Sequence, residues 1–340
     1  MSKIPIRNIY YMLCYAWDRL KEKDIVDADR LEGNNIMDLF ARVLISGTKY
    51  LIKRGFDRKY ISRNEIIPTV RGKIDFAGSM KKITWISGKM ACDYDELNHN
   101  ILHNQIIKTM IELLIKSKEL DKSLKEDLHR LHRYFRDIDT IKINKNTFGK
   151  IQINKNNQYY EFVLKVCEVI YENILVDENT GQVKFRDFYR DERQMAYLYE
   201  NFVRNFYRKE QQDFEVKREN IEWDAVGNTV YLPQMKTDIS LISGNRTIII
   251  DTKYYDDVYE ANYGSKKFKS SHLYQIFAYL KNREVKGGAY IHSEGILLYP
   301  AVNVEVDEDY LIQGHKIMIR TVNLNQDWKM IHNRLLEIIK

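Results

Sequence analysis

The sequence predicts a two-domain protein of the α+β class: a mixed helix-and-strand first half, and a second half of α/β type, with a mixed sheet flanked by helices. Three observations carry this expectation. The chain is 340 residues long, enough for two cores of ordinary size. Val176-Asp177-Glu178-Asn179-Thr180-Gly181 interrupts an apolar helical pattern with polar turn formers, so the domains are expected at 1–180 and 181–340. From about residue 190 the patterns run helix, strands, hairpin, helix, strand, helix, an order that builds a sheet covered by helices.

In the first half, residues 6–21 read as a helix with a dense aromatic face, and 35–54 as a second helix ending near Gly55. The span 58–94 alternates and contains Gly72, Gly78 and Gly88, which predicts short strands and turns. Residues 97–118, 122–136 and 158–176 carry the apolar spacing of amphipathic helices. Ile143-Asn144-Lys145-Asn146 recurs as Ile153-Asn154-Lys155-Asn156, either as two arms of a hairpin or as a product of composition. In the second half, Ala289–His292 and Ile296–Tyr299 are expected as late strands.

The chemistry concentrates between residues 235 and 255. Met235 to Leu241 and Thr247 to Ile250 are apolar strands joined through Ser243-Gly244-Asn245, the composition of a β-hairpin. Asp238 lies on the first strand. Asp251 and Lys253 end the second, two residues apart and so on one face. Two carboxylates beside an ammonium suit a hard divalent cation such as Mg²⁺, which prefers oxygen ligands. Asp238 and Asp251 are the expected ligands, with the Thr252 backbone carbonyl as a third, while Lys253 orients water or offsets developing charge. The competing reading is a surface hairpin with ordinary ion pairs. Against it, three β-branched residues run straight into Asp251, and a buried strand that ends in a carboxylate needs a partner.

Two flanking segments add to the set. Ser271 to Leu280 reads as a helix with Gln275 and Tyr279 four apart on one face, and Met195 to Val203 is an apolar helix interrupted by Glu200. Lys266, Lys267 and Lys269 fall between the Asp-x-Lys strand and the Gln275 helix, where they either grip DNA phosphates or form a solvated loop. The basic excess is uneven: Lys53 to Lys89 holds ten Lys/Arg against three acids, more than the net charge of +6 of the whole chain. That fits phosphate contact or a solvated face equally.

Several functions are excluded or made unlikely by what is missing. No G-x-x-x-x-G-K-[ST] occurs, so nucleotide-driven movement has to come from another subunit. Cys14, Cys92 and Cys167 are sparse and far apart, which argues for a reducing compartment and against disulfides. His99 and His103 have helical spacing, yet no carboxylate or cysteine pattern completes a metal site around them. No stretch reaches the roughly 18 apolar residues of a membrane span, and a cytoplasmic location without membrane contact is expected.

The Asp238/Asp251/Lys253 layout resembles the PD-(D/E)xK phosphodiesterases, and the Gln275/Tyr279 helix is similar to one in their RecB-like branch. Over nearly its whole length the chain resembles the McrC family, nuclease subunits of McrBC-type, modification-dependent restriction systems. The resemblance rests on Ile4 to Ala16, Val70-Arg71-Gly72-Lys73-Ile74-Asp75-Phe76, Cys92 to Asn100, Tyr199 to Val203 and the Asp-Asp-Lys core. It departs at His99, where a small or acidic residue is expected. The resemblance implies a PD-(D/E)xK core that cuts modified DNA with Mg²⁺ and an acid from the first helix, Glu200, completing the metal site. It implies Glu200 and Gln275 as helpers of catalysis, and 1–180 as a domain that docks on a GTP-hydrolysing AAA+ motor and stimulates it. Tyr279 joins the three lysines as an expected DNA contact, and two copies are expected to pair for double-strand cleavage. A solitary nuclease and a non-catalytic adaptor for the motor are the alternatives.

Overall fold

The computed structural model describes residues 4–16, 36–82, 84–176, 183–185, 191–254, 258–262, 265–301 and 305–340. The chain forms two units, one of Met37–Arg186 and one of Met1–Ile36 with Asp187–Lys340. The second break lies close to the boundary expected near 180. The first does not: the opening helix belongs with the C-terminal half. The expected linker from 177 to 181 and the helical residues 17–21 lie outside the described residues.

Unit 2 begins with α2 (Ile36–Arg54), which follows α1 (Ile6–Ala16) of the other unit. Next come β1 (Lys59–Ile67), β2 (Lys73–Ile74), α3 (Phe76–Lys81) and β3 (Met90–Asn98), the strands forming an antiparallel sheet in the order β1-β3-β2. β1 and β3 pair over nine residues each, longer than the short strands expected from the glycines. α3 has its own start signal, because the Asp75 carboxylate accepts the Gly78 amide at 2.9 Å as an N-cap. Gly72 is required as glycine: its φ is +62°, and a Cβ would sit 2.4 Å from the Asp93 carbonyl oxygen. α4 (Leu102–Lys116), α5 (Lys122–His132), the short α6 (Lys145–Gly149) and α7 (Tyr160–Asn173) supply the helical core, and β4 (Ile174–Val176) pairs with β5 (Val183–Phe185). Neither copy of the Ile-Asn-Lys-Asn repeat is a hairpin arm. Asn144 caps α6, and the Asn154 side chain accepts the amides of Asn156 and Asn157, so both copies are asparagine-led turns.

Unit 1 is built on α8 (Glu192–Glu210) and a six-stranded mixed sheet. Its elements are β6 (Glu215–Lys217), β7 (Asn220–Ile221), β8 (Met235–Lys236), β9 (Ile239–Ile242), β10 (Thr247–Thr252), β11 (Tyr259–Asn262), β12 (Ser265–Phe268), α9 (Ser270–Glu284), β13 (Glu294–Ala301), β14 (Asp307–Ile312), β15 (His315–Asn323) and α10 (Trp328–Ile338). The sheet order is β14-β15-β13-β10-β9-β6, with β10, β13 and β15 parallel and the outer pairs antiparallel. The central strands are covered on both faces, so Ile248, Ile249 and Ile250 are fully buried in succession. Each contributes about 1.5–3 kcal/mol of burial.

α1 explains why the N-terminus joins this unit. Its aromatic face packs on α8 and α10: Tyr15 lies 5.8 Å from Phe202 and 5.6 Å from Trp328, and Tyr11 lies 4.8 Å from Trp328, ring centre to ring centre. Asn8 Nδ2 donates to the carbonyls of Leu324 and Gln326, each at 2.8 Å. Asn205 Nδ2 donates to the last carbonyls of α1, those of Tyr15 and Ala16, both at 3.0 Å.

The expected strand at 296–299 is the middle of β13, whereas 289–292 is not a strand. Gly287 and Gly288 take positive φ of 68° and 59°, and a 3₁₀ turn at Gly288–Tyr290 follows. The paired glycines end α9 and turn the chain before β13 can begin.

Candidate active site

α8, the β9–β10 hairpin and α9 bring the expected residues to one end of the central strands. Asp238 stands immediately before β9, and Asp251 is the fifth residue of β10, with 1% of its surface exposed. Lys253 follows β10; its amide donates to Leu298 O of β13 at 2.9 Å, which holds the backbone at strand geometry one residue past the strand. Lys253 Nζ lies 2.6 Å from Asp251 Oδ2, in ion-pair contact. The same Nζ donates to Gln275 Oε1 at 2.8 Å. Gln275 Nε2 donates to the Tyr279 hydroxyl at 2.8 Å, and that hydroxyl donates to Lys236 O at 3.2 Å. Gln275 and Tyr279 thus form a chain of hydrogen bonds behind Lys253. Tyr279 is buried within the site, not set out as a DNA contact.

Asp238 is held differently. Its Oδ2 accepts both the amide and the hydroxyl of Thr252, at 2.8 and 2.9 Å. The hairpin therefore ties its two strand ends together through this carboxylate, a contact the sequence spacing alone did not reveal.

Glu200 is the middle of α8 and faces two guanidinium groups. Its Oε1 accepts Arg204 Nη1 and Arg218 Nη2, both at 2.9 Å. Arg204 was legible as an i,i+4 partner on the helix; Arg218, at a turn between β6 and β7, had no signal.

Burial dominates the electrostatics. It pushes the Asp251 carboxyl up to about 7; Lys253 opposes that shift, while the charges of Asp238 and Glu200 add to it. Burial, followed by the Asp238 charge, also raises Glu200, against the pull of Arg218 and Arg204. His272, one turn before Gln275, is driven down to about 4 by burial and by the charges of Lys253 and Lys269, so it is a neutral imidazole sharing a 2.8 Å hydrogen bond with Tyr299.

Among the described residues, no three His, Cys, Asp or Glu side chains converge closely enough to hold an ion by themselves. Two carboxylates and a backbone oxygen remain, and Mg²⁺ commonly takes one or two carboxylates and completes its shell with water. The fit is favourable at Asp251: its carboxylate is buried, it faces the Lys253 ammonium, and burial disfavours its ionised form. A cation beside it would relieve that cost. Glu200 fits less well as a ligand, since two guanidiniums already occupy its Oε1.

Lys266 and Lys267 sit on β12, paired with β11, so they belong to a hairpin and not to an irregular loop. Both are exposed, and Lys266 Nζ lies 6.0 Å from the centre of the Tyr259 ring. Lys269 is the residue before α9.

Residues 5–300 match the family described as McrBC 5-methylcytosine restriction system component. The chain belongs to this McrBC family. Within the family, it is 37% identical over 339 residues to the type IV methyl-directed restriction enzyme EcoKMcrBC of Escherichia coli (strain K12), covering 98% of this chain and 97% of that protein. Among solved structures it resembles a chain in the refined half-complex from a tetradecameric assembly of Thermococcus gammatolerans McrB AAA+ hexamers with bound McrC. The TM-score is 0.65 at 14% identity, over 100% of this chain and 77% of that chain. At that identity the likeness speaks to fold. The McrBC chain described here is thus a mixed α+β restriction-system component of McrC type, with a six-stranded mixed sheet. Among its described residues no helix is long and apolar enough to cross a membrane.

Proposed function

We propose that this McrBC chain is a Mg²⁺-dependent endodeoxyribonuclease of PD-(D/E)xK type, the cutting subunit of a methyl-directed restriction complex driven by a GTP-hydrolysing AAA+ partner. One observation carries the reading: the buried Asp251 carboxylate lies 2.6 Å from the Lys253 ammonium at the end of a central strand. The name of the E. coli relative supports the restriction context, and the archaeal assembly, in which McrC is bound to McrB AAA+ hexamers, supports the partner.

Asp238 and Asp251, with the Thr252 carbonyl, are the groups that would hold the ion. When bound, Mg²⁺ supplies Lewis acidity and lowers the pKa of a coordinated water. The chain's own residues do the rest. Thr252 fixes the rotamer of Asp238 by taking Oδ2, which leaves Oδ1 available. Lys253, held between Asp251 and Gln275, keeps its ammonium at a fixed point to orient the attacking water and offset the negative charge that builds on the phosphoryl and leaving oxygens. Gln275 and Tyr279 are positioning residues that transmit the rigidity of α9 to that ammonium. Lys266, Lys267 and Lys269 steer the DNA backbone towards the site.

The deciding experiment is Asp251→Ala in the assembled complex. Mg²⁺-dependent cutting of methylated DNA is expected to drop to background, while assembly and nucleotide hydrolysis by the partner stay at the parent level. Cutting at the parent rate would overturn the proposal.

A further inference from the structure

Arg218 is a cation that the hydrolytic site leaves unused. It stands between β6 and β7, and its Nη2 reaches Glu200 Oε1 at 2.9 Å. That oxygen already takes a 2.9 Å hydrogen bond from Arg204 Nη1. Arg204 is committed at both prongs, to Glu200 and through Nη2 to Asn201 Oδ1 of the same helix, and only 11% of its side chain is exposed. Both arginines favour the ionised Glu200 carboxylate, Arg218 ahead of Arg204, and two guanidiniums on one carboxylate leave a net positive charge there.

Its exposure differs too. The Arg218 side chain is 36% exposed, and Glu200 is the one partner the described residues give it. The Glu200 end of this pair is enclosed and the Arg218 end faces water. What the contact does is orient the fork. With Nη2 anchored on Glu200, Nη1 and Nε keep their donors without an acceptor among the described residues. Nη2 carries two N–H groups; with one on Glu200, the other lies parallel to an N–H of Nη1 or of Nε, and such a pair matches two oxygens of a phosphate. The anchor itself is electrostatically coupled to the reacting centre, since Glu200 feels the charge of Asp238, and Asp251 feels that of Glu200.

We propose that Arg218 grips a DNA backbone phosphate beside the scissile one, with Glu200 as the positioning residue that aims its fork. The assignment rests on the reading of the site as a DNA-cutting one. It gives Glu200 a role that needs no direct metal contact and accounts for its two arginines. Both arginines favour the ionised carboxylate; Arg204 holds it in place on α8, and Arg218 uses it as a hinge pin.

The test measures binding and not turnover. In an Asp251→Asn background, the full chain assembled with its AAA+ partner is titrated with a fluorescent methylated DNA duplex at a series of KCl concentrations. Each neutralised phosphate adds about 0.9 to the slope of log K against log salt. Arg218→Ala and Arg218→Gln are expected to lower the slope by about 0.9 and to weaken binding about tenfold at low salt, the scale of one hydrogen bond to a charged group. Arg218→Lys is expected to keep the slope, because the charge remains. Thermal melting identifies any variant that fails to fold, and either neutral variant alone decides the question. An unchanged slope in a folded neutral variant overturns the proposal, as does an equal loss in Arg218→Lys. If the Asp251→Asn parent still cuts DNA, the hydrolytic reading itself falls, an outcome distinct from an unchanged slope in an inactive parent.

Discussion

Asp251 is asked to be buried and ionised at once, and the two demands conflict. Its carboxyl is raised from an ordinary value near 3.8 to about 7, mainly by burial. Between those values the folded chain holds a proton that the unfolded chain has released, so the ion-free protein loses stability as pH rises from about 4 to 7. Asp251→Asn removes that dependence. Thermal melting without divalent ions is expected to show the variant gaining about 1–2 kcal/mol at pH 8, a typical yield when a functional strain is relieved, and gaining less at pH 5. A larger gain at pH 5 would contradict the assignment. Lys253 is tested by shape and not charge: Lys253→Arg replaces a compact donor with a planar fork. It is expected to slow single-turnover cleavage by about 10²-fold or more with little change in DNA binding. Near-parent cleavage would remove Lys253 from the reacting centre. At this scale the sequence was informative where side chains lie close along the chain. Asp251 and Lys253 share a face because strands have period two, and Gln275 and Tyr279 because helices return every four residues. Thr252 bonding to Asp238, and Arg218 to Glu200, depend on which strand ends meet in space, and no local period encodes that.

Among the elements, α9 decides how accurately Gln275 meets Lys253, and its seat is Gly295 of β13. A Cβ on Gly295 would stand 2.8 Å from Ile276 Cγ1 and 3.0 Å from Leu280 Cδ1, so the absent side chain is what lets the helix lie down on the strand. Gly295→Ala is expected to cost about 1–3 kcal/mol through overpacking and to reduce cleavage more than DNA binding, because the helix carrying Gln275 has to lift. Chemical denaturation and single-turnover assays check both; an unperturbed, fully active variant would show that α9 can seat without the glycine. Long elements with consistent periodicity were readable, as in α2, α8 and β13. β14 and β15 were not: β14 is an edge strand of mostly exposed Asp-Glu-Asp-Tyr-Leu, stabilised by its ladder and by Arg320, so it lacks an apolar signature. α3 escaped because its six residues are set by the Asp75 cap more than by any pattern.

For the whole molecule, the division into 37–186 and the remainder predicts where function can be separated. A fragment of residues 37–186 is expected to fold, with cooperative melting by circular dichroism, and to stimulate nucleotide hydrolysis by the AAA+ partner without cutting DNA. The motivation is a unit with its own helical core, in a chain that carries no P-loop. A folded fragment that leaves the partner's hydrolysis rate unchanged would place the stimulating surface elsewhere. A polar interruption suggested a boundary at 180, and the break lies after Arg186; the membership of α1 had no local signal, since its partners Phe202, Leu324 and Trp328 are some 190 to 320 residues away in sequence.

That first helix has a consequence for synthesis. A ribosome delivers α1 long before the carbonyls that accept Asn8, 316 and 318 residues further on, and before the indole that stacks on Tyr15. The inserted unit can complete its core while translation continues, whereas the six-stranded sheet cannot close with α1 until Leu324, Gln326 and Trp328 have been made. A polypeptide abandoned part-way therefore carries a finished insert and no closed catalytic unit. Completion of the unit that holds Asp251 is thus deferred until Trp328 has been made.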